Sequence, residues 1–277
     1  VEVELLDNYD THPLFTQDDT FDLGSVNVEA SDLDGNTVTG TVNVNVSDDV
    51  PDVEVLGPTQ ATENGPTVNG TWTLVDGADG VDSIDVTVGT DTQTITLPEG
   101  ESAVFSLTEG TLTVLANGTW TFDPAANLDN DITQSVSFTV TATDADSDED
   151  ADSHTIEVLE GGEPTGSAPI ELTVDDENLA DGSNPATPVT ADADLTFTAG
   201  SDNLTTFVFG STAGLDPSLT WTPSAGGTVL TGADERGDVI RLTLTAPASI
   251  NADTSGTVNV EVELLDNYDT HPLFTQD

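Results

Sequence analysis

The chain has 277 residues, with 53 Asp plus Glu against 2 Lys plus Arg, and a formal net charge of −51. Arg236 and Arg241 are its only arginines and it has no lysine, so it lacks the basic footprint that nucleic acid or an anionic membrane surface requires. The absence of Cys and Met excludes disulfides and argues against soft-metal sites.

High charge can mean disorder, but here the hydrophobic fraction is 35 % and it is patterned. Val, Ile, Leu and Thr alternate with polar residues, the period-two signature of strands. In chain order, the spacing predicts strands over 1–6, 25–30, 38–46, 71–75, 83–88, 93–97, 111–115, 119–122, 136–142, 155–159, 204–209, 239–244 and 257–265. Gly, Asn, Asp and Pro cluster between them, as turns require. No segment carries an apolar stripe at helical spacing. The expected class is all-β, with antiparallel sheets packed face to face into tandem β-sandwiches joined end to end. No apolar run is long enough to cross a bilayer and no stretch reads as a signal peptide, so any targeting signal is expected elsewhere in a longer protein. The sequence begins in mid-strand, as an interior piece of a longer protein would.

Residues 1–18 and 260–277 are identical, both reading VEVELLDNYDTHPLFTQD. The offset between Val1 and Val260 predicts a tandem array with a period of 259 residues. A period longer than a solenoid repeat means whole domains strung like beads. Such duplication favours a spacer over a catalyst, because each copy adds length. Pattern breaks predict the last part of one sandwich over 1–50 and a complete sandwich over 51–162. Residues 163–277 then form the first part of the next sandwich, completed in the array by the equivalent of 19–50. Neighbouring repeats are therefore the expected partners. Between separate chains, the same division predicts head-to-tail complementation, with 1–50 of one chain completing 163–277 of another.

Trp72, Trp120 and Trp221 lie in similar contexts, GTWTL, GTWTF and LTWTP. Inward core positions are the expectation for these rings rather than a sugar-stacking platform.

Unneutralised carboxylates repel one another over roughly 8 Å at physiological salt. The chain lacks the basic side chains to offset them, and calcium, a hard ion that takes oxygen ligands, fills that need. Two hairpins share the pattern strand, Asp-x-Asp, small residue, further oxygen ligands, strand. Their candidate ligands are Asp32, Asp34 and Asn36 in one, and Asp144, Asp146, Asp148 and Asp150 in the other. At a domain junction, SDDVPDV places Asp48, Asp49 and Asp52 around Pro51, where a shared ion would fix an interdomain angle. The other junction offers Glu157, Glu160 and Glu163 among glycines. Two further loops supply Asp175, Asp176, Glu177 and Asp181, and Asp76, Asp79, Asp82 and Asp85. A solvated acidic turn is the competing reading for each.

No His pair has zinc spacing, and no Gly-rich loop precedes a Lys. His154, beside an acidic turn, reads as a surface residue at a strand edge rather than part of a triad. No enzyme activity is expected. Arg236 and Arg241 are expected to pair with neighbours such as Asp234, Glu235 or Asp238.

With these residues assembled, the chain resembles the extender repeats of RTX adhesins, the type I-secreted surface proteins of Gram-negative bacteria. VDDENLADGSNPAT, LTFTAGSDNLTTFVFG and GDVIRLTLTAPA carry the likeness over 168–277. LFTQDDTFDLGSVNVEASDLDGNTVTGTVNVNVSDDVP carries it over the first fifty residues. GTLTVLANGTWTFDPAAN and VSFTVTATDADSDEDADSHTIEV are similar to a cadherin-like repeat of the same proteins. The resemblance implies Ig-like or cadherin-like sandwiches, several calcium ions with some at the linkers, and a cell-surface stalk that holds a ligand-binding tip away from the cell in attachment and biofilm formation. The family's nonapeptide calcium repeats are absent, which fits a stalk segment. A halophile surface-layer or envelope repeat is the alternative, since acid excess without lysine also suits high salt. The Asn-x-Thr sequences at Asn69, Asn117 and Asn203 fit that alternative too. A sugar- or ice-binding tip is a third reading, and tandem duplication argues against it.

Overall fold

The computed structural model describes residues 2–7, 20–47, 49–98, 100–129, 132–145, 147–186 and 188–268. The class is all-β, built from antiparallel sheets. The chain divides into two compact units, Val1–Leu159 and Glu160–Asp277.

The first unit opens with a hairpin, β1 (Thr20–Ser31) and β2 (Thr37–Ser47), which forms a two-stranded sheet of its own. Ten further strands follow: β3 (Asp52–Leu56), β4 (Gln60–Thr62), β5 (Val68–Val75), β6 (Ser83–Val88), β7 (Asp91–Thr96), β8 (Ser102–Ser106), β9 (Gly110–Leu115), β10 (Thr119–Pro124), β11 (Gln134–Thr143) and β12 (Glu149–Leu159). They make two five-stranded sheets, ordered β3-β5-β10-β9-β8 and β4-β12-β11-β6-β7. Within them, β3 pairs antiparallel with β5, while β4 pairs parallel with β12. The leading segment thus changes sheets between Leu56 and Gln60, where Gly57 and Pro58 cannot continue a central ladder.

Alternation decides what this sandwich buries. In β11 Val136, Phe138, Val140 and Ala142 face in, and in β10 Trp120 and Phe122 do. Trp72 and Trp120 are core residues, as expected. Their indole N–H groups donate to Leu115 O at 3.0 Å and Leu56 O at 3.1 Å, the polar partners a buried Trp requires. Gly57 and Gly70 make room for the larger ring, since a Cβ at either would lie within 2.4 Å of a Trp120 atom. His154 departs from the surface position expected of it. It is buried, 5.2 Å from Trp120 and 6.0 Å from Phe138 between ring centroids, and its Nε2 donates to Pro58 O at 2.9 Å. Its place on the inward face of β12 follows from alternation with Ile156 and Val158.

The second unit is one six-stranded sheet, ordered β13-β14-β18-β17-β16-β15. Its strands are β13 (Thr165–Gly166), β14 (Val189–Thr198), β15 (Thr220–Pro223), β16 (Val229–Asp234), β17 (Gly237–Thr245) and β18 (Ser255–Leu264). Register places Ala193, Val260 and Leu244 on one face, with Leu195 and Val258 beside them and Ala191, Val262 and Leu242 next along. The opposite face carries Asp192, Asp194, Asn259, Glu261, Glu263 and Thr243. Trp221 is half-buried here, its indole N–H donating to Asp216 O at 2.9 Å.

Two expected strands are not strands. Residues 2–6 make no ladder, and 204–209 contribute only a bridge from Leu204 to Ile250.

Candidate metal centre

The two Asp-x-Asp hairpins fold into the same turn. In the first, Asp32 N donates to Asn36 O at 2.9 Å, Gly35 N to Asp32 O at 3.2 Å, and Asn36 N to Asp32 Oδ1 at 2.8 Å. In the second, Asp144 N donates to Asp148 O at 3.0 Å, Ser147 N to Asp144 O at 3.3 Å, and Asp148 N to Asp144 Oδ1 at 2.8 Å. Gly35 and Ser147, the matching positions, have φ of 86° and 84°. The small fourth residue is thus the one that enters the left-handed region.

Their surroundings differ. Asp32, Asp34 and Asn36 are exposed, at the tip of the isolated hairpin. Both Asp32 oxygens are engaged within the turn, Oδ1 by Asp34 N and Asn36 N and Oδ2 by Asn36 Nδ2. The Asn36 side chain foremost, then the turn's backbone N–H groups, hold the Asp32 carboxyl below its ordinary value. Asp144 and Asp148 are buried, at 7 % and 1 % exposure.

That second turn lies at one pole of the sandwich, and two other expected ligand segments come to the same end. β3 begins with Asp52, opposite Val75 at the end of β5. The loop after β5, carrying Asp76, Asp79 and Asp82, lies against the segment that enters the sandwich. A Cβ at Gly77 would sit 3.4 Å from Asp49 O and 3.3 Å from Val50 C. That loop then enters β6, whose Ile84 pairs with Ala142 just before Asp144. Asp150, at the start of β12, accepts a bond from Val53 N at 2.7 Å. Three stretches far apart in sequence, 49–52, 76–82 and 144–150, therefore share one pole. Asp48 and Asp146 lie outside the described residues.

Asp152, two residues along β12, accepts from Val55 N at 2.7 Å. Asp150 and Asp152 thus satisfy the open backbone donors of β3, an edge strand that would otherwise present them unpaired. One oxygen of Asp150 is committed to this task.

The donor set at this pole suits a hard divalent cation. It is all oxygen, it is anionic, and it includes two carboxylates withdrawn from water. No lysine or arginine occurs before residue 236, so neither residue type is at hand in this unit to offset the desolvation cost of those charges.

The opposite pole holds a buried acid that sequence reasoning missed. Glu63 is 1 % exposed and follows β4, which lies beside the far end of β12. Its Oε1 accepts from Leu128 N at 2.7 Å and its backbone N–H donates to Leu159 O at 2.8 Å. β12 has eleven residues, so at about 3.3 Å each roughly 35 Å separates Glu63 from the 144–148 turn. Attention to Asp runs hides Glu63. Its signal is a lone acid in Thr-Glu-Asn-Gly, a turn that follows the short strand Gln60–Thr62.

In the second unit, Asp175, Asp176, Glu177 and Asp181 surround a one-turn 3₁₀ segment, Asp176–Asn178, capped by Asp175 Oδ1 accepting from Glu177 N at 3.1 Å. The backbone carbonyls of this loop accept internal bonds from Leu179, Gly182, Asn184 and Ala186. Elsewhere in this unit, Glu160 and Asp202 bring carboxylate oxygens within 4.8 Å of one another, and Ser201 Oγ donates to Glu160 Oε1 at 3.1 Å. Both arginines are occupied. Arg236 pairs with Asp234 at 3.0 Å, as expected. Arg241 pairs across the sheet with Glu263 rather than with a sequence neighbour, because register sets Arg241 opposite Glu263.

No family model matches the chain, and no curated protein matches it. Among solved structures it is similar to the crystal structure of the protocadherin GammaB4 extracellular domain, at 15 % identity and a TM-score of 0.31. The match covers 89 % of this chain and 38 % of that one, so the chain spans well under half of that structure's length.

Proposed function

We propose that this chain is a structural extender segment of a calcium-stiffened bacterial surface adhesin, secreted and tethered at the outer membrane. It spaces a ligand-binding tip from the cell and catalyses nothing. The observation that carries this reading is the pole of the 51–159 sandwich, where the buried Asp144 and Asp148 lie at the same end of the fold as acid-bearing stretches 49–52 and 76–82, in a unit without lysine or arginine. Calcium held there, by Asp144 and Asp148 with help from Asp49, Asp52, Asp76, Asp79 or Asp82, would bind the entering 47–51 segment to the sandwich. A flexible acidic joint would then become a stiff one. The exact 18-residue repeat supports a role that gains from copy number.

The test is a thermal melt of chelated protein with and without millimolar calcium, run beside small-angle scattering. A raised melting point with a longer particle supports the extender. Indifference to calcium, combined with stabilisation by molar potassium chloride, gives the chain to the halophile envelope reading. The overall acid excess would then serve solubility in salt.

A further inference from the structure

The β1–β2 hairpin is fully amphipathic. Register pairs Phe21 with Val46, Gly24 with Val44, Val26 with Val42, Val28 with Gly40, and Ala30 with Val38, all on one face. The other face pairs Asp22 with Asn45, Ser25 with Asn43, Asn27 with Thr41, and Glu29 with Thr39. Such a face is made to lie on a core, yet Val26 and Val38 are 54 % and 68 % exposed. A two-stranded sheet is marginal in water without a partner for its apolar side.

The second unit has the complementary need. The apolar face of its single sheet carries a groove of about 720 Å³, lined by residues including Leu172, Leu195, Phe197, Phe207, Val208 and Leu244. No charged residue lines it among the described residues. The repeat joins the two features. VEVEL, residues 260–264, forms the end of β18, and the identical 18 residues at 1–18 precede β1 with one residue between. On the 259-residue period expected from that identity, the hairpin is the sequence that follows β18.

We infer that the apolar face of the β1–β2 hairpin of one copy docks in the groove of the Glu160–Asp277 unit of a second copy. The contact is heterologous, so each chain offers one hairpin and one groove, and pairing propagates head to tail. This goes beyond the extender reading and does not require bound calcium.

The experiment is sedimentation of the full chain across a hundredfold concentration range, at moderate salt to screen the acidic surfaces. Wild-type mass is expected to grow with concentration. A hairpin variant, Val26→Asp with Val28→Asp, and a groove variant, Val208→Asp, are each expected to stay monomeric. All three positions are about half exposed. An equimolar mixture of the two variants is expected to give dimers and nothing larger, because one intact hairpin meets one intact groove. That rescue cannot come from unfolded chains. Asn27→Asp with Asn43→Asp, an equal charge change on the polar face, is expected to assemble as wild type. A wild type that stays monomeric throughout overturns the inference, as does a hairpin variant that assembles normally or a mixture that fails to dimerise. A monomer that takes up an apolar dye in the groove also overturns it and assigns the groove to a small molecule.

Discussion

Asp148 donates its backbone N–H to Asp144 Oδ1 at 2.8 Å, so the two buried acids of this turn are held in one loop. If the pole holds calcium, the ion offsets part of the cost of burying Asp148. Asp148→Asn is therefore expected to leave the chelated protein as stable as wild type or more so, and to remove most of the calcium-dependent rise in melting temperature. Asp32→Asn, in the exposed twin of this turn, is expected to leave the calcium response nearly intact. Paired melts in chelator and in calcium check both. An Asp148→Asn protein with a full calcium response would place the ion elsewhere.

Asp152 has a different task, since its Oδ2 accepts Val55 N at 2.7 Å on the edge strand β3. Asp152→Ala is expected to cost about 1.5–3 kcal/mol, the range for a hydrogen bond to a charged group. Hydrogen exchange at the Val55 amide is expected to accelerate more than at Val53, which Asp150 still serves. The calcium increment is expected to persist, which separates acids that brace the edge from acids that hold the ion.

Within the core, Gly70 and Trp120 form a lock. A Cβ at Gly70 would lie 2.4 Å from Trp120 Cε2 and 2.3 Å from Leu56 O, both unable to retreat. Gly70→Ala is expected to cost about 1–3 kcal/mol by overpacking, and Trp120→Ala about 3–5 kcal/mol by cavity formation. In the double variant the combined cost is expected to be less than the sum of the two, because removing the ring removes the clash with Trp120 and leaves only that with Leu56 O. Denaturant unfolding of the single and double variants measures this coupling.

One sequence in this chain shows what can and cannot be read without the fold. Residues 260–264 are strand and buried alternately, with Val262 at 5 % and Leu264 at 7 % exposure. The matching residues 2–5 make no ladder, with Val3 at 64 % and Leu5 at 61 %. Alternation marks the capacity for a strand, but β14 and β17 must be alongside for the strand to form. β14 is not among the expected strands, although VTADADLTFT alternates Val189, Ala191, Ala193, Leu195 and Phe197 with Thr and Asp, because the two alanines and two aspartates at its middle weaken the apolar signal. The turns were more legible. Asp-x-Asp with a small fourth residue gave the same local geometry twice, because that geometry is set by short-range bonds. Burial of Asp144 but not Asp32 depends on what packs around each turn, and no short motif encodes it. The same limit hid Glu63 and placed His154 wrongly.

In the second unit, Asp216 accepts a bond from the Tyr268 hydroxyl. That bond, followed by those from Ser218, holds the Asp216 carboxyl below its ordinary value of 3.8. A carboxyl lowered in the folded state binds protons less readily than in the unfolded chain. Its contribution is therefore complete above pH 3.8 and is lost as pH falls through the lower folded value. Asp216→Asn is expected to flatten the stability profile in that acid window while leaving its slope near neutrality unchanged. Tyr268→Phe is expected to move the Asp216 titration back toward 3.8, read from its carboxyl carbon resonance. Because Asp216 is solvent-accessible, the stability change will be small and the resonance is the sharper measurement. A resonance that titrates at the ordinary value in wild type would show that Tyr268 does not hold this carboxylate in solution.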